Sequence, residues 1–482
     1  MKRIVVCLLI LAGLTLSMGV RSISTRSRAG TQSLHYHLLW RAKLDANADS
    51  KAIVARGRPP KRLRIAVVLA GNNTSNCDPA NPVGRATTYA FDARNGHKLW
   101  SASTEGPGRC TTAAPAVSGS WVYSPGLDGR VHRYALMTGR EWRRGGWPKR
   151  FTRMPAVEKA SANLVVSVPY LYVTTSGFIG DQGHYEGHLV TINLRTGHQT
   201  VFNSLCSKIH ALLGPTPSSS HYCPDVQAGM FGRGQAAVDP LNRDVYVVTG
   251  NGPWNGHTNW GDSVLKLSPD GHKLIDAFTP RDQAFLNNQD LDLGSTGPAI
   301  LPPVTIAGRR YDLLTQGGKG PAKASGGPKV VWLVNRDRMG SKPGPGHTGG
   351  QLQYLPAPGR CEVLTAPAVW KGSGGRFAAI YTNDCGASAY TIRASKSGKP
   401  EMAVKWHFSG SFTSPVVFGQ TVYIAHGGAV DAFNPVSGHR IWSSATVSGG
   451  TIGAVHWEYP AISGKLLFMT DESGRLYAFR RR

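Results

Sequence analysis

One phrase returns again and again along this chain. Tyr89-Ala-Phe-Asp-Ala-Arg-Asn-Gly-His-Lys-Leu-Trp100 reappears in looser form from Tyr134 to Trp142, Val190 to Gly197, Leu265 to Gly271 and Val430 to Trp442. Each copy begins with the alternation of a half-buried strand and turns tightly on a glycine. A second strand follows, often ending in tryptophan. One aspartate-to-glycine turn of this kind carries no weight, but five in rough register do. Like units spaced at about 40 residues must stack to bury their faces. For β units the stack is radial, a propeller of four-stranded blades.

Following the strand pairs gives about eight blades. The first pairs Leu63 onward with the Tyr89 unit. The next six run over Ala114–Trp142, Leu164–Phe202, Gln235–Phe278, Gly297–Asn335, Leu364–Phe408 and Thr413–Trp442. The last, Ile452–Phe479, has no outer tryptophan strand of its own, and His37-Leu-Leu-Trp-Arg-Ala-Lys43 supplies a candidate from the other end of the chain. Pairing the two ends would close the ring and remove its free sheet edges. An all-β fold suits a chain that is only 17% charged and carries 58 glycines and 31 prolines, the makings of many short strands and turns.

At the start, Lys2-Arg3 precede an apolar run from Ile4 to Leu16, then small residues at Ser17 and Gly19. That order is a secretory signal with cleavage expected after Gly19, and the run is short for a membrane span, with an uncleaved anchor as the alternative. Cys7 lacks the small neighbours of a lipoprotein signal, so no lipid anchor is expected. Residues 20–36 then read as a basic linker and 37–482 as the propeller. The expected location is outside the cell or on the exterior of its envelope. Cys77, Cys110, Cys206, Cys223, Cys361 and Cys385 remain, an even number that fits an oxidising compartment. Proximity favours Cys206–Cys223 and Cys361–Cys385, leaving Cys77–Cys110. No C-x-x-C is present, so neither zinc nor covalent haem is expected. The formal charge of +26 attracts polyanions. With no aromatic-basic nucleic-acid motif, a plainly solvated surface, an acidic wall polymer or a protein partner fits better than nucleic acid, and the chain is expected to be a monomer.

These repeats resemble those of pyrroloquinoline quinone (PQQ) dehydrogenases, eight-bladed propellers whose repeat also builds non-enzymatic outer-membrane assembly scaffolds. The nearest stretch runs from Val238 to Trp254 and contains Thr249-Gly-Asn-Gly-Pro-Trp254. The resemblance implies that Asn251 helps to hold a calcium ion under the quinone, as an oxygen donor suits a hard cation. The plain alternative is an Asn-Gly turn. In Gln289-Asp-Leu-Asp292, Asp290 is similar to the family's catalytic base and calcium neighbour, with Asp292 as its companion. Gln289 stands where those enzymes have tryptophan, and both aspartates serve equally well as loop ties. Lys319, between glycines, resembles the lysine aimed at the quinone oxygens. Glu186 is the nearest match to the calcium-binding glutamate, with Asp181 as rival, and Trp254 and Arg233 complete the implied cofactor contacts.

Three departures weigh against that chemistry. The vicinal cysteine pair over the quinone is absent, Arg233 stands where a tryptophan platform belongs, and no attached haem receives electrons. PQQ and calcium are therefore not the favoured cofactors. Two functions of different class remain. One is a binding or scaffold propeller with a basic surface and a vestigial centre, which the missing stacking groups favour. The other is a divergent PQQ- and calcium-dependent alcohol dehydrogenase.

Overall fold

The alternating segments fold as antiparallel four-stranded blades, eight in all, in a computed structural model that describes residues 34–57, 63–72, 77, 83–324 and 326–482. The expected signal and most of the basic linker, residues 1–33, lie outside the described residues. Blade one shows the plan: Ile53–Arg56, Arg64–Ala70, Arg85–Asp92 and Lys98–Glu105 pair in chain order from the innermost strand outward. The phrase seen in the sequence is the third strand, the turn and the fourth strand of a blade. Blade three departs slightly, its inner edge being made by both Lys159–Ala160 and Val165–Ser167 against Tyr170–Ser176.

The recurring tryptophan and glycine lock neighbouring blades together. Trp100, on the outer strand of blade one, donates from Nε1 to the Leu136 carbonyl in the turn of blade two, at 2.9 Å. Its ring lies over Gly139, which has φ +68°, and a Cβ there would sit 2.7 Å from the ring. Trp40 makes the same contacts with Ala93 and Gly96, and Trp406 with Pro435 and Gly438. A left-handed turn that must also pass under a ring admits little except glycine. The apolar core follows the same logic and lies mostly between blades. Tyr123, Val131, Leu171 and Val190 pack between blades two and three, and Trp40, Phe91 and Phe468 between blades eight and one.

Blade eight takes its outer strand from the start of the described chain. Tyr36–Lys43 pairs antiparallel with Arg475–Arg481, in a register running from Tyr36 opposite Arg481 to Lys43 opposite Arg475. The cysteines pair as Cys77–Cys110, Cys206–Cys223 and Cys361–Cys385, with Cα separations of 5.5, 5.8 and 6.1 Å. Among the described residues no helix is long and apolar enough to cross a membrane.

Two outer strands lie further along than the repeat suggests. In blade two the chain touches the sheet at Glu141 only as a single bridge to Tyr134, and the fourth strand is Lys149–Arg150. Trp142 turns aside there to meet Trp121, at 5.4 Å between ring centres. In blade five a glycine- and proline-rich excursion follows Asn335, so the fourth strand is Gln353–Pro356.

Candidate functional site

The segments that lead into the inner strands carry polar side chains, and several of them border one cavity of about 450 Å³. Blade three contributes Lys159, Phe178 and Asp181, and the run into blade four gives Phe231 and Arg233. The run into blade five gives Asp290 and Asp292, Lys319 follows blade five's second strand, and Trp457 precedes blade eight. Five positions singled out from the sequence, Asp181, Arg233, Asp290, Asp292 and Lys319, thus share a cavity.

The acidic side is already paired. Lys319 Nζ lies 2.5 Å from Asp292 Oδ2 and 4.0 Å from Asp290 Oδ1. Burial pulls the Lys319 ammonium down, but Asp292 and Asp290 outweigh it and hold the pKa above the usual lysine value. The other oxygen of Asp292 accepts the Asn251 N–H at 2.9 Å. Asp290 stands at the mouth, its side chain 68% exposed. Asn251 is buried behind Asp292, its Oδ1 without a hydrogen-bond partner. Asp262, which no motif suggested, is buried beside them and accepts the Leu293 N–H at 3.0 Å. Burial, with Asp292 nearby, pushes its carboxyl well above the ordinary range.

The basic side is built differently. The Arg233 guanidinium lies 3.2 Å from the centre of the Trp457 ring. Burial draws its pKa down to about 9, against the pull of Asp49, Glu458 and Tyr459. Lys159 Nζ donates to Gly177 O at 3.2 Å and Ser176 Oγ at 3.3 Å, with the Phe231 and Phe178 rings 5.9 and 6.0 Å away. Burial first, and then the charge of Arg233, bring the Lys159 ammonium down to about 7. Behind this pair, burial pushes Asp49 up to about 7 and Glu458 to about 8. Asp49 and Glu458 each keep one buried oxygen without a partner. Arg233 also borders a second cavity, of about 310 Å³, together with Lys51 and Tyr459. Nothing in the repeat flagged Lys159, Asp49, Glu458 or Trp457. They come from the approaches to blades one and eight and from the inner edge of blade three, and only ring closure brings them together.

Two of the sequence candidates lie elsewhere. Glu186 is fully buried outside the cavity lining, with Oε1 3.0 Å from His184 Nε2 and its backbone N–H donating to Glu158 Oε1 at 3.1 Å. Burial and the facing Glu158 push its carboxyl to about 9. Trp254 packs with the Tyr172, Val247 and Trp260 cluster, and its backbone bridges Trp260. Asp181 accepts from the Tyr185 hydroxyl, and burial, with Asp292 and Asp290 nearby, raises its pKa.

With this geometry in place, the known proteins can be compared. A family model described as outer membrane protein assembly factor BamB, of the PQQ type, matches residues 37–217. No curated protein matches the chain. Among solved structures, the quinohemoprotein alcohol dehydrogenase of Comamonas testosteroni aligns with a TM-score of 0.60 at 14% identity, over 94% of this chain and 77% of that one. A europium-containing methanol dehydrogenase gives 0.60 at 14% identity, over 92% and 93% of the two chains. The quinohemoprotein alcohol dehydrogenase ADHIIG of Pseudomonas putida HK5 gives 0.59 at 12%, over 92% and 76%. At such identities the likeness establishes the fold alone. The repeat, the blade architecture and the family match over residues 37–217 together mark this chain as a β-propeller built on a divergent PQQ-type repeat.

Proposed function

We propose that this is an exported binding propeller whose central cavity receives a small organic anion, and that it is not a calcium- and quinone-dependent dehydrogenase. The observation that carries this reading is the pair of cations, buried Lys159 and part-buried Arg233, on one wall of the cavity. Asp49 acts electrostatically on both and Asp181 on Lys159, but neither cation forms an ion pair among the described residues. A buried cation without a direct partner is costly, and an anion entering the cavity would offset that cost. Phe178, Phe231 and Trp457 offer flat apolar walls to the rest of the ligand. Such a balance of apolar wall and few charged groups is typical of ligand pockets.

The donor set does not suit calcium. A hard divalent ion needs several anionic oxygens converging on it. Here the Lys319 ammonium already matches Asp292, while Glu186 faces His184 and Glu158 outside the cavity. The Arg233 guanidinium lies against the Trp457 ring at the position where the resemblance would put an aromatic platform for the quinone. The three disulfides suit an oxidising compartment, and the net charge of +26 suits a polyanionic wall polymer or acidic protein as outer partner.

Calorimetric titration tests the reading. Phenylacetate should bind to the wild-type protein and lose about tenfold or more in affinity in Arg233→Met, the cost of a charge-assisted contact. PQQ with calcium should show no tight binding. Submicromolar PQQ affinity that depends on calcium and is lost in Asn251→Ala would make the dehydrogenase the better reading.

A further inference from the structure

We propose that Lys159 is a reactive amine that captures small oxo acids as a reversible imine, with Arg233 taking the carboxylate. This rests on the anion-binding reading of the cavity and names the ligand class: a ketone or aldehyde carbonyl and a carboxylate on one small molecule with an apolar or aromatic substituent.

Two lysines line the cavity, Lys159 and Lys319. Lys319 is pinned on Asp292 with Asp290 close by, an arrangement that keeps the amine protonated and without a free lone pair. Lys159 has no such partner. It opens a two-residue strand whose register, Lys159 opposite Ser176, fixes its backbone against blade three. Its Nζ meets only neutral acceptors, Gly177 O and Ser176 Oγ. Phenylalanine rings lie about 6 Å away on two sides, and a guanidinium borders the same cavity. Desolvation and a neighbouring cation are the two conditions that free a lysine amine for attack on carbonyls. Both act in the same direction here and place its pKa close to neutrality. Asp49 and Asp181 are the charged groups that oppose them.

The step balances without any oxidant or reductant. The Nζ lone pair attacks the carbonyl carbon, a C–N bond forms, and the carbonyl oxygen is protonated to a carbinolamine. That hydroxyl takes a second proton and leaves as water as the C=N bond forms, and the nitrogen's surplus protons return to the site. Asp181 lines the cavity and, with its pKa raised by burial, can hold the proton in transit. Arg233 anchors the carboxylate as a planar donor fork, while the aromatic walls select the substituent.

Reductive trapping tests the proposal on the full chain. The protein is incubated with phenylpyruvate and sodium cyanoborohydride, then mapped by peptide mass spectrometry. The expected result on wild type, which needs no variant to fold, is one dominant adduct at Lys159, heavier by the ligand mass less one oxygen. Lys159→Arg should abolish that adduct and Lys319→Arg should keep it. Arg233→Met should slow labelling by phenylpyruvate about tenfold more than labelling by phenylacetaldehyde, which has no carboxylate and loses only the guanidinium's effect on the amine. Labelling spread over exposed lysines, or undiminished in Lys159→Arg, would overturn the proposal. Phenylacetate separates the two levels of the argument. If it binds by calorimetry while phenylpyruvate leaves no adduct, the imine fails and the anion cavity stands. If phenylacetate does not bind either, both fail.

Discussion

Lys159 and Lys319 border the same cavity, yet their surroundings drive them in opposite directions. The carboxylates beside Lys319 hold its charge, whereas burial and Arg233 strip charge from Lys159. Glu186 shows the same rule acting on an acid, and its effect on stability can be read from pH. Its pKa rises from 4.5 to about 9 on folding through burial and the facing Glu158. Between those values the folded chain keeps a proton that the unfolded chain has released. The contribution to stability is therefore fully present below 4.5 and is lost as pH rises toward 9. Glu186→Gln keeps the shape and has no proton to lose. Thermal melts should show the variant more stable than wild type at pH 8, with the gap closing by pH 4. A lower Tm for the variant at pH 8 would mean that Glu186 works there as a charged partner of His184. At this scale the sequence was only partly legible. Asp290, Asp292 and Lys319 could be singled out because the Asp-Leu-Asp and Gly-Lys-Gly segments resemble those of the PQQ dehydrogenases. Trp457 and Lys159 were not, because no spacing rule links the approach to blade eight with blade three.

A blade repeats because each one must offer its neighbour both a tryptophan and a place to put that tryptophan. The ring of Trp100 needs the Leu136 carbonyl and the bare face of Gly139, so aspartate-to-glycine turns and terminal tryptophans recur together. Gly139→Ala therefore meets two obstacles, a left-handed φ of +68° and a ring 2.7 Å from the new Cβ. Backbone strain of about 1–2 kcal/mol and overpacking of about 1–3 kcal/mol should together cost roughly 2–5 kcal/mol. Urea unfolding should show that loss, whereas Gly145→Ala, with nothing within 4 Å of its Cβ position, should cost only its own φ strain. Equal losses at the two sites would remove the interlock as the reason for the glycine. Element identity was legible for this reason, and element boundaries failed where something competes with the repeat. Trp142 leaves the expected strand where Trp121 meets it edge-on and the Arg133 guanidinium lies over its ring. The outer strand of blade five waits for a glycine-rich excursion to end, and alternation cannot measure the length of a loop.

For the whole molecule, the decisive feature is that the ring joins at blade eight through two distant parts of the chain. Arg475–Arg481 would be an open edge if Tyr36–Lys43 did not pair along it, and an open edge of that length invites association with another chain. The same strand carries Trp40, which is buried against Phe91 and Phe468 and hydrogen-bonded to the Ala93 carbonyl. Closure therefore combines a sheet ladder in blade eight with a tryptophan lock onto blade one. The two contributions can be separated by experiment. Trp40→Ala leaves the ladder and removes the lock, at an expected cost of about 3–5 kcal/mol for a buried tryptophan, while the elution volume stays that of wild type. Deleting residues 34–43 removes both, so the loss should be larger and the product should self-associate on size-exclusion chromatography. The two variants differ most in solubility, because only the deletion exposes backbone donors and acceptors along a full strand. A deletion product that elutes and melts like wild type would show that blade eight holds without its fourth strand, and that the ring does not depend on its two ends meeting.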